Sequence, residues 1–378
     1  MNAFNTYSVL NIDLDAIASN YRYLRSLVNS SICAGVLKAD SYGLGIEGIA
    51  PILYNEGCRH FFVAYTNEAV ALKNVLSTFQ QKIHIYVLNG PYLKGWEDYY
   101  HHHQFIPVLN DLEAVHEWQS YGKEISQKMP AVLHFDTGMR RLAIPFEDFT
   151  KLLQSKLDYL DIRLIMSHLS SADEKDNPAN LEQLLWVNSI KKNYPNFSIS
   201  LVSSSGIFLD PSYHFDLVRP GIALYGYNSC FENAEKLTPC VELQAMILQI
   251  QDVKANEYVG YNRTYQTKCP SKLATLAIGY ADGVPCAIHN QGGYVLIKGL
   301  KAPIVGKVSM DLINVDVTDI PDVSVGDWAT LLGDKITLDN WAIATKYSNY
   351  ELLLKLGKRL RKVYTTQKQH QGLESVSC

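Results

Sequence analysis

Apolar positions in the first two thirds of the chain switch between two periods. Short runs rich in Val, Ile, Leu and Phe recur at 32–37, 60–65, 83–89, 105–109, 131–135, 162–167 and 199–202. Between several of them apolar residues return at helical spacing. Asp13 or Asp15 is placed to cap a helix to about Val28, a second helix follows Asn67 through Leu76, and a third covers 178–192. Strand, helix, strand at this rhythm predicts βα units around a parallel sheet. About eight such units over roughly 220 residues predict a closed (β/α)8 TIM barrel, with an open doubly wound sheet as the alternative. The rhythm changes near residue 230. A polar, irregular stretch over 230–239 reads as a linker, and strand-like runs follow at 241–253, 273–279, 294–297, 313–317 and 328–332, punctuated by Pro285, Gly292-Gly293, Pro303 and Pro321. In the first of these runs Val241, Leu243, Ala245 and Ile247 alternate, and then Leu248 and Ile250 take the opposite parity, which predicts a bulge.

The expected fold is therefore α/β: an N-terminal barrel over 12–232 and a C-terminal, mostly-β domain over 233–378. The alternating segment at 9–14 fits either domain. The polar tail after Tyr364 reads as frayed. The chain has 378 residues, 47% of them hydrophobic, enough for sizeable cores, which excludes disordered and disulfide-stapled classes. With 34 basic against 38 acidic residues, the net charge of −4 leaves no electrostatic footprint for nucleic acid or an acidic membrane surface. No apolar run approaches the roughly 18 residues that span a bilayer, and residues 1–7 lack a basic and then apolar leader. The seven cysteines are scattered and never spaced as CxxC, so reduced thiols in a cytoplasmic protein are expected.

The most informative stretch is Ala34-Gly-Val-Leu-Lys38-Ala-Asp-Ser-Tyr42-Gly43. Lys38 ends an apolar strand, at the carboxyl end where barrel active sites form. Partial burial there favours a neutral amine, which a Schiff base with an aldehyde requires. The plainer reading is a lysine whose stem leaves the core and whose head reaches water. Gly43-Leu-Gly45-Ile-Glu-Gly48 matches G-x-G-x-x-G, with Glu68 downstream, but residues intervene where the first glycine should close the strand turn. That leaves a nicotinamide dehydrogenase as a minor alternative. His101-His102-His103 cannot share a face, so a solvated loop is expected and no metal site.

The stretch from Lys38 to Gly43 resembles the pyridoxal-phosphate signature of alanine racemases. Further motifs agree in order and spacing: Phe135-Asp-Thr-Gly-Met-Arg-Arg141-Leu, Ser167-His168, Ser204-Ser-Gly-Ile, Val218-Arg219-Pro-Gly221-Ile222, Tyr261, Gly279-Tyr280-Ala-Asp-Gly283, the run from Ala302 to Met310-Asp311, and Ser348-Asn-Tyr-Glu with Tyr364. The resemblance covers nearly the whole chain. It implies a pyridoxal 5'-phosphate enzyme that interconverts L-alanine and D-alanine and supplies D-alanine for peptidoglycan. It also implies that residues 1–11 form a strand of the β domain, and that two copies join head to tail in a homodimer with shared active sites.

Lys38 would hold the cofactor aldehyde and act as base on one substrate face, and Tyr261 from the partner would serve the other. Tyr42, Ser204, Gly221, Ile222 and Tyr364 would hold the phosphate. Arg219, oriented by His168, would face the pyridine nitrogen. Arg141 and Met310 would hold the substrate carboxylate, while Tyr280 and Asp311 would shape a narrow mouth suited to a small side chain. The chain also departs from the family. Where many relatives carry a carbamylated lysine bracing the arginine, this chain has His134, so a bound anion such as chloride, or a direct His134 hydrogen bond, is expected to brace Arg141. Ser203 stands where asparagine is common, Ser309 where cysteine is frequent, and 359–363 lacks the usual proline. A broad-specificity racemase of the same build is the nearest alternative. A non-catalytic, cofactor-carrying barrel protein is a more distant one.

Overall fold

A computed structural model describes residues 7–91, 95–227, 236–356 and 359–366. The first strand is β1 (Ser8–Asp13), and Asp13 Oδ1 then accepts from the N–H groups of Asp15 (2.9 Å) and Ala16 (3.0 Å) to cap the helix Leu14–Leu27. The next strands in chain order are β2 (Ile32–Cys33), β3 (Gly35–Val36), β4 (His60–Val63), β5 (His84–Val87), β6 (Ile106–Leu109), β7 (Met129–His134), β8 (Leu160–Met166), β9 (Ile199–Ser200) and β10 (Leu217–Val218). Strands β3 to β9 form one parallel sheet in sequence order.

β10 closes the ring. It pairs in parallel with β2, and Val36 N–H continues that ladder to Pro220 O at 3.0 Å. On its other side Asp216 N–H reaches Ile199 O and Arg219 N–H reaches Val202 O, both at 3.0 Å. These strands are mostly apolar because most of their residues are buried, between the barrel interior and helices such as Thr66–Val75, Leu112–Glu124 and Pro178–Asn193; Asp161 and Arg163 near the start of β8 are exceptions.

The remaining strands are β11 (Val241–Val253), β12 (Tyr258–Val259), β13 (Tyr265–Gln266), β14 (Ser271–Leu276), β15 (Tyr294–Ile297), β16 (Leu300–Val305), β17 (Ile313–Asp316), β18 (Trp328–Leu332) and β19 (Arg361–Thr365). Their main sheet runs β14-β17-β16-β15-β18-β11-β1-β19, and β11 also pairs with β14, which curls the sheet back on itself. The parity change in β11 is the device. The register shifts between Leu243 and Gln244 and again between Ile247 and Gln249, so one half of the strand serves β18 and β1 and the other half serves β14.

By contacts the chain forms two units. One holds Ile17–Ser41 and Gly45–Thr238. The other holds the N-terminal residues through Ala16, Tyr42–Leu44 and everything from Pro239 onward. The expected boundary at 232/233 and part of the expected linker lie outside the described residues, as do 1–6 and the tail beyond 366.

Several expectations need correction. The second unit is mostly β, as expected, but the helices near its end were not expected. It contains the helices Leu338–Thr345 and Asn349–Lys355, capped by Thr337 and Ser348. Pro303 does not break a strand but lies inside β16, paired across to Tyr294. His101-His102-His103 is the last turn of the helix Glu97–His103, not a loop. Among the described residues no helix is long and apolar enough to cross a membrane, and no group of three or more His, Cys, Asp or Glu gathers as metal ligands.

Candidate active site

Directly after β3 and Lys38 the backbone turns left-handed. Ala39, Asp40, Ser41 and Tyr42 all sit at φ between 54° and 57°. This conformation costs an L-residue roughly 1–2 kcal/mol, so contacts must hold it. Ala39 N–H donates to Glu68 Oε1 at 2.6 Å, and Ser41 N–H to Leu37 O at 3.0 Å. Gly45 N–H reaches Asp40 O at 2.9 Å, and Asp40 Oδ1 accepts from Ile46 N–H at 2.8 Å at the start of the helix Ile46–Asn55. Glu68 Oε2 also takes the N–H groups of Ala64 and Tyr65. The acid downstream of the G-x-G-x-x-G match is thus a brace for the turn after Lys38, and Gly43 and Gly45, at φ 83° and 96°, are turn glycines.

Lys38 is exposed at the barrel's open end. Desolvation by the protein around its amine lowers its pKa, the Arg141 and Arg219 cations lower it further, and Glu68 opposes them. Arg219 itself is buried. It donates to Ser200 Oγ, to Ser167 O at 2.7 Å, to Leu201 O at 3.3 Å and to His168 Nδ1 at 3.3 Å. Burial pushes its pKa down to about 9, which leaves it charged near neutrality. A guanidinium only donates, so His168 Nδ1 must be the acceptor and Nε2 carries the proton. Burial, then the cations of Arg219 and Arg141, hold His168 neutral, well below the usual imidazole range.

Behind this pair, Gln183 Nε2 donates to His168 O (2.9 Å) and to Thr137 Oγ1 (2.7 Å), and Thr137 Oγ1 bonds Ser167 Oγ (2.8 Å). Gln183 is a buried support on the helix Pro178–Asn193. Nothing in its local sequence distinguishes it from the polar residues around it.

His134 ends β7. Its Nδ1 lies 2.7 Å from Asn110 Oδ1. The Asn110 amide nitrogen donates to Leu88 O and Val108 O, both at 2.9 Å, which fixes Oδ1 as acceptor and makes His134 Nδ1 the donor. His134 Nε2 is left with a lone pair. Burial first, then Arg219 and Arg141, push the pKa of His134 down to about 3. A recess of ≈ 10 Å³, the size of a single water, is lined by His134, Asp136, Met139, Arg141 and His168.

Ser204 Oγ accepts from Gly221 N–H at 2.9 Å and Ala223 N–H at 3.2 Å, so its own proton remains to be donated outward. The Gly221 N–H, expected to serve a phosphate, is thereby occupied. The Ile222 N–H opens a short helical turn and has no partner within it.

On the second unit, Tyr42 lies beside Tyr350, with ring centroids 6.3 Å apart, and Tyr364 donates to Leu44 O at 2.8 Å. Burial raises the Tyr42 pKa, and Tyr350 adds to it. Tyr350, inside the Ser348-Asn-Tyr-Glu motif, is thereby placed next to an expected phosphate-binding residue, a position the motif spacing did not indicate. Tyr261, Tyr280, Met310 and Asp311 form a second group on this unit. Tyr261 is 67% exposed and Met310 52%. Tyr261 follows Gly260, whose φ of 74° lets the turn press against Gly306 and Lys307, just before Met310.

Comparison with known proteins identifies the family. Residues 12–229 match the family described as alanine racemase, N-terminal domain, and residues 240–364 match alanine racemase, C-terminal domain. An alanine racemase from Rickettsia canadensis is 41% identical over 360 residues, covering 94% of this chain and 98% of that protein. One from Brucella ovis is 38% identical, covering 94% and 93%. The crystal structure of alanine racemase from Bartonella henselae with covalently bound pyridoxal phosphate superposes with a TM-score of 0.89 at 37% identity, covering 96% of this chain and all of that one. With both domain families matched in order and close relatives spanning nearly its full length, this chain belongs to the alanine racemase family.

Proposed function

We propose that the protein is an alanine racemase that interconverts L-alanine and D-alanine with pyridoxal 5'-phosphate held at Lys38. The observation that carries this reading is a lysine amine with lowered pKa at a barrel strand end, beside a buried guanidinium that can only donate. The residues present suit such a group. Ser204 offers an outward hydroxyl proton next to the Ile222 N–H, as a phosphate needs, and Tyr42 is a buried phenol one turn after Lys38. Tyr350, beside Tyr42, takes the place expected of Tyr364, whose proton is already spent on Leu44 O. The Gly221 N–H acts through Ser204 rather than directly.

When bound, pyridoxal phosphate supplies an aldehyde for amine condensation and a ring that draws electrons from the substrate α-carbon. Lys38 then holds or moves the proton on one face of that carbon, and Tyr261 of a second copy does so on the other. Arg219 cannot act as a carboxylate would to keep a pyridine nitrogen protonated, which limits side reactions to those needing less electron withdrawal. His168 keeps Arg219 in place. Arg141 grips the substrate carboxylate, and neutral His134 offers it a lone pair. An anion beside that lone pair would be repelled, so the direct hydrogen bond is favoured over chloride. Tyr280, Met310 and Asp311 restrict the mouth to small side chains.

The active form is a head-to-tail homodimer, which would account for the exposed Tyr261 and Met310. Five free cysteines among the described residues, three of them buried, suit a reducing cytoplasm, where the product would feed peptidoglycan synthesis. The test is direct. The purified protein should be coloured, borohydride should bleach it and abolish activity, and incubation with L-alanine should yield D-alanine by chiral chromatography. A coloured but inactive protein would indicate the non-catalytic barrel reading. Equal turnover of serine, lysine or arginine would indicate the broad-specificity one.

A further inference from the structure

Two loops of the second unit are laced together. Tyr280 N–H donates to Ser309 O and Ala281 N–H to Met310 O, each at 3.0 Å. The lacing is so close that a Cβ on Gly279 would lie 2.3 Å from Met310 O. The far ends of both loops are joined by one side chain. Arg359 Nε lies 3.2 Å from Asp282 Oδ1, and its Nη1 lies 2.8 Å from Asp311 Oδ1. Asp282 is buried at 4% exposure, and its other oxygen accepts from Gly279 N–H at 2.9 Å. Beside the clip lies a cavity of about 310 Å³ walled in part by Leu248, Ala277 and Leu312.

We propose that Arg359 is a positioning residue for substrate selection, clipping the Tyr280 turn to the Met310-Asp311 loop so that the mouth keeps the width alanine requires. The proposal rests on the reading that Tyr280, Met310 and Asp311 face substrate. The planar guanidinium fork can aim two N–H groups at two different carboxylates, which a lysine ammonium cannot do with fixed geometry. Without the cation, two like charges face the same point, and one of them is buried. The cavity beside them gives the loops room to part.

The experiment compares Arg359→Gln, Arg359→Lys and Tyr280→Ala as full-length, cofactor-loaded proteins, measuring KM, kcat and the preference for L-alanine over L-serine. Arg359→Gln should raise KM for alanine about tenfold with kcat within about twofold, and should narrow the alanine-over-serine preference. Arg359→Lys should lie between it and the parent. If Arg359→Gln lowers kcat or melting temperature while the alanine-to-serine ratio stays fixed, the residue is merely structural and the proposal fails. Should Arg359→Gln not fold, an Arg359→Lys protein indistinguishable from the parent overturns it equally. Tyr280→Ala separates the two levels. If it shifts the ratio and the Arg359 variants do not, only the clip is wrong. If it leaves the ratio untouched, the reading of the mouth falls, and the clip with it.

Discussion

His134 shows how one side chain can change role without changing place. Its Nδ1 proton is pinned by Asn110, 24 residues earlier in the chain, and its other nitrogen is kept uncharged first by burial and then by the arginines around it. The position was legible in the motif, but the charge state was not, because Asn110 carries no signal until the barrel brings β6 and β7 side by side. Two outcomes follow. Activity should be the same with and without chloride. Asn110→Asp, which would favour an imidazolium beside Arg141, should raise KM for alanine several-fold, on the order of 1 kcal/mol. Tyr261→Phe should stop isotope exchange at the α-carbon from one face only, with the cofactor still bound. Equal loss on both faces would contradict a two-base arrangement. The Tyr364 assignment shows the limit of spacing: the motif series pointed to Tyr364, and only the fold sets Tyr350 against Tyr42.

Among the elements, the left-handed turn after Lys38 was the least legible. Glycine marks such backbone, yet the residues here are Ala39, Asp40, Ser41 and Tyr42. The conformation is imposed from outside, chiefly by Glu68 on the helix Thr66–Val75. Ala39→Val should therefore destabilise the protein by about 1–2 kcal/mol and weaken cofactor retention, whereas Ala39→Gly should be neutral or better in thermal melts. The longer barrel strands were plain because each carries a run of buried apolar residues. β10 was not, since two strand residues next to a proline make no run. The two short helices before β19 were hidden for a similar reason, although Ser348 with Glu351 is a capping box in plain sight.

Across the whole molecule, histidines set the response to acid. His60 stacks on His84 with centroids 4.7 Å apart, and burial, then His84, push its pKa down to about 4. His134 is at about 3, His168 is well below its usual range, and His84 is also lowered, all chiefly by burial. A base with depressed pKa takes up protons more readily when unfolded. The stability it confers is intact above about pH 6.5 and is lost as pH falls toward the folded value. Between pH 6.5 and 5.5 the loss is about 1 kcal/mol for each of His60, His134 and His168, so denaturant midpoints should fall steeply over that interval, and less so in His60→Gln. If sites are shared between copies, mixing inactive Lys38→Ala and Tyr261→Phe chains should restore about a quarter of parental activity, because half of the randomly paired dimers then hold one complete site of two. The place of β1, between β11 and the edge strand β19, bears on how the chain is made. It can dock on β11 only after more than 200 further residues have been made, and on β19 only near the end of synthesis. A message cut short by a few dozen codons would remove β19 and leave β1 as an unpaired sheet edge, a surface open to aggregation.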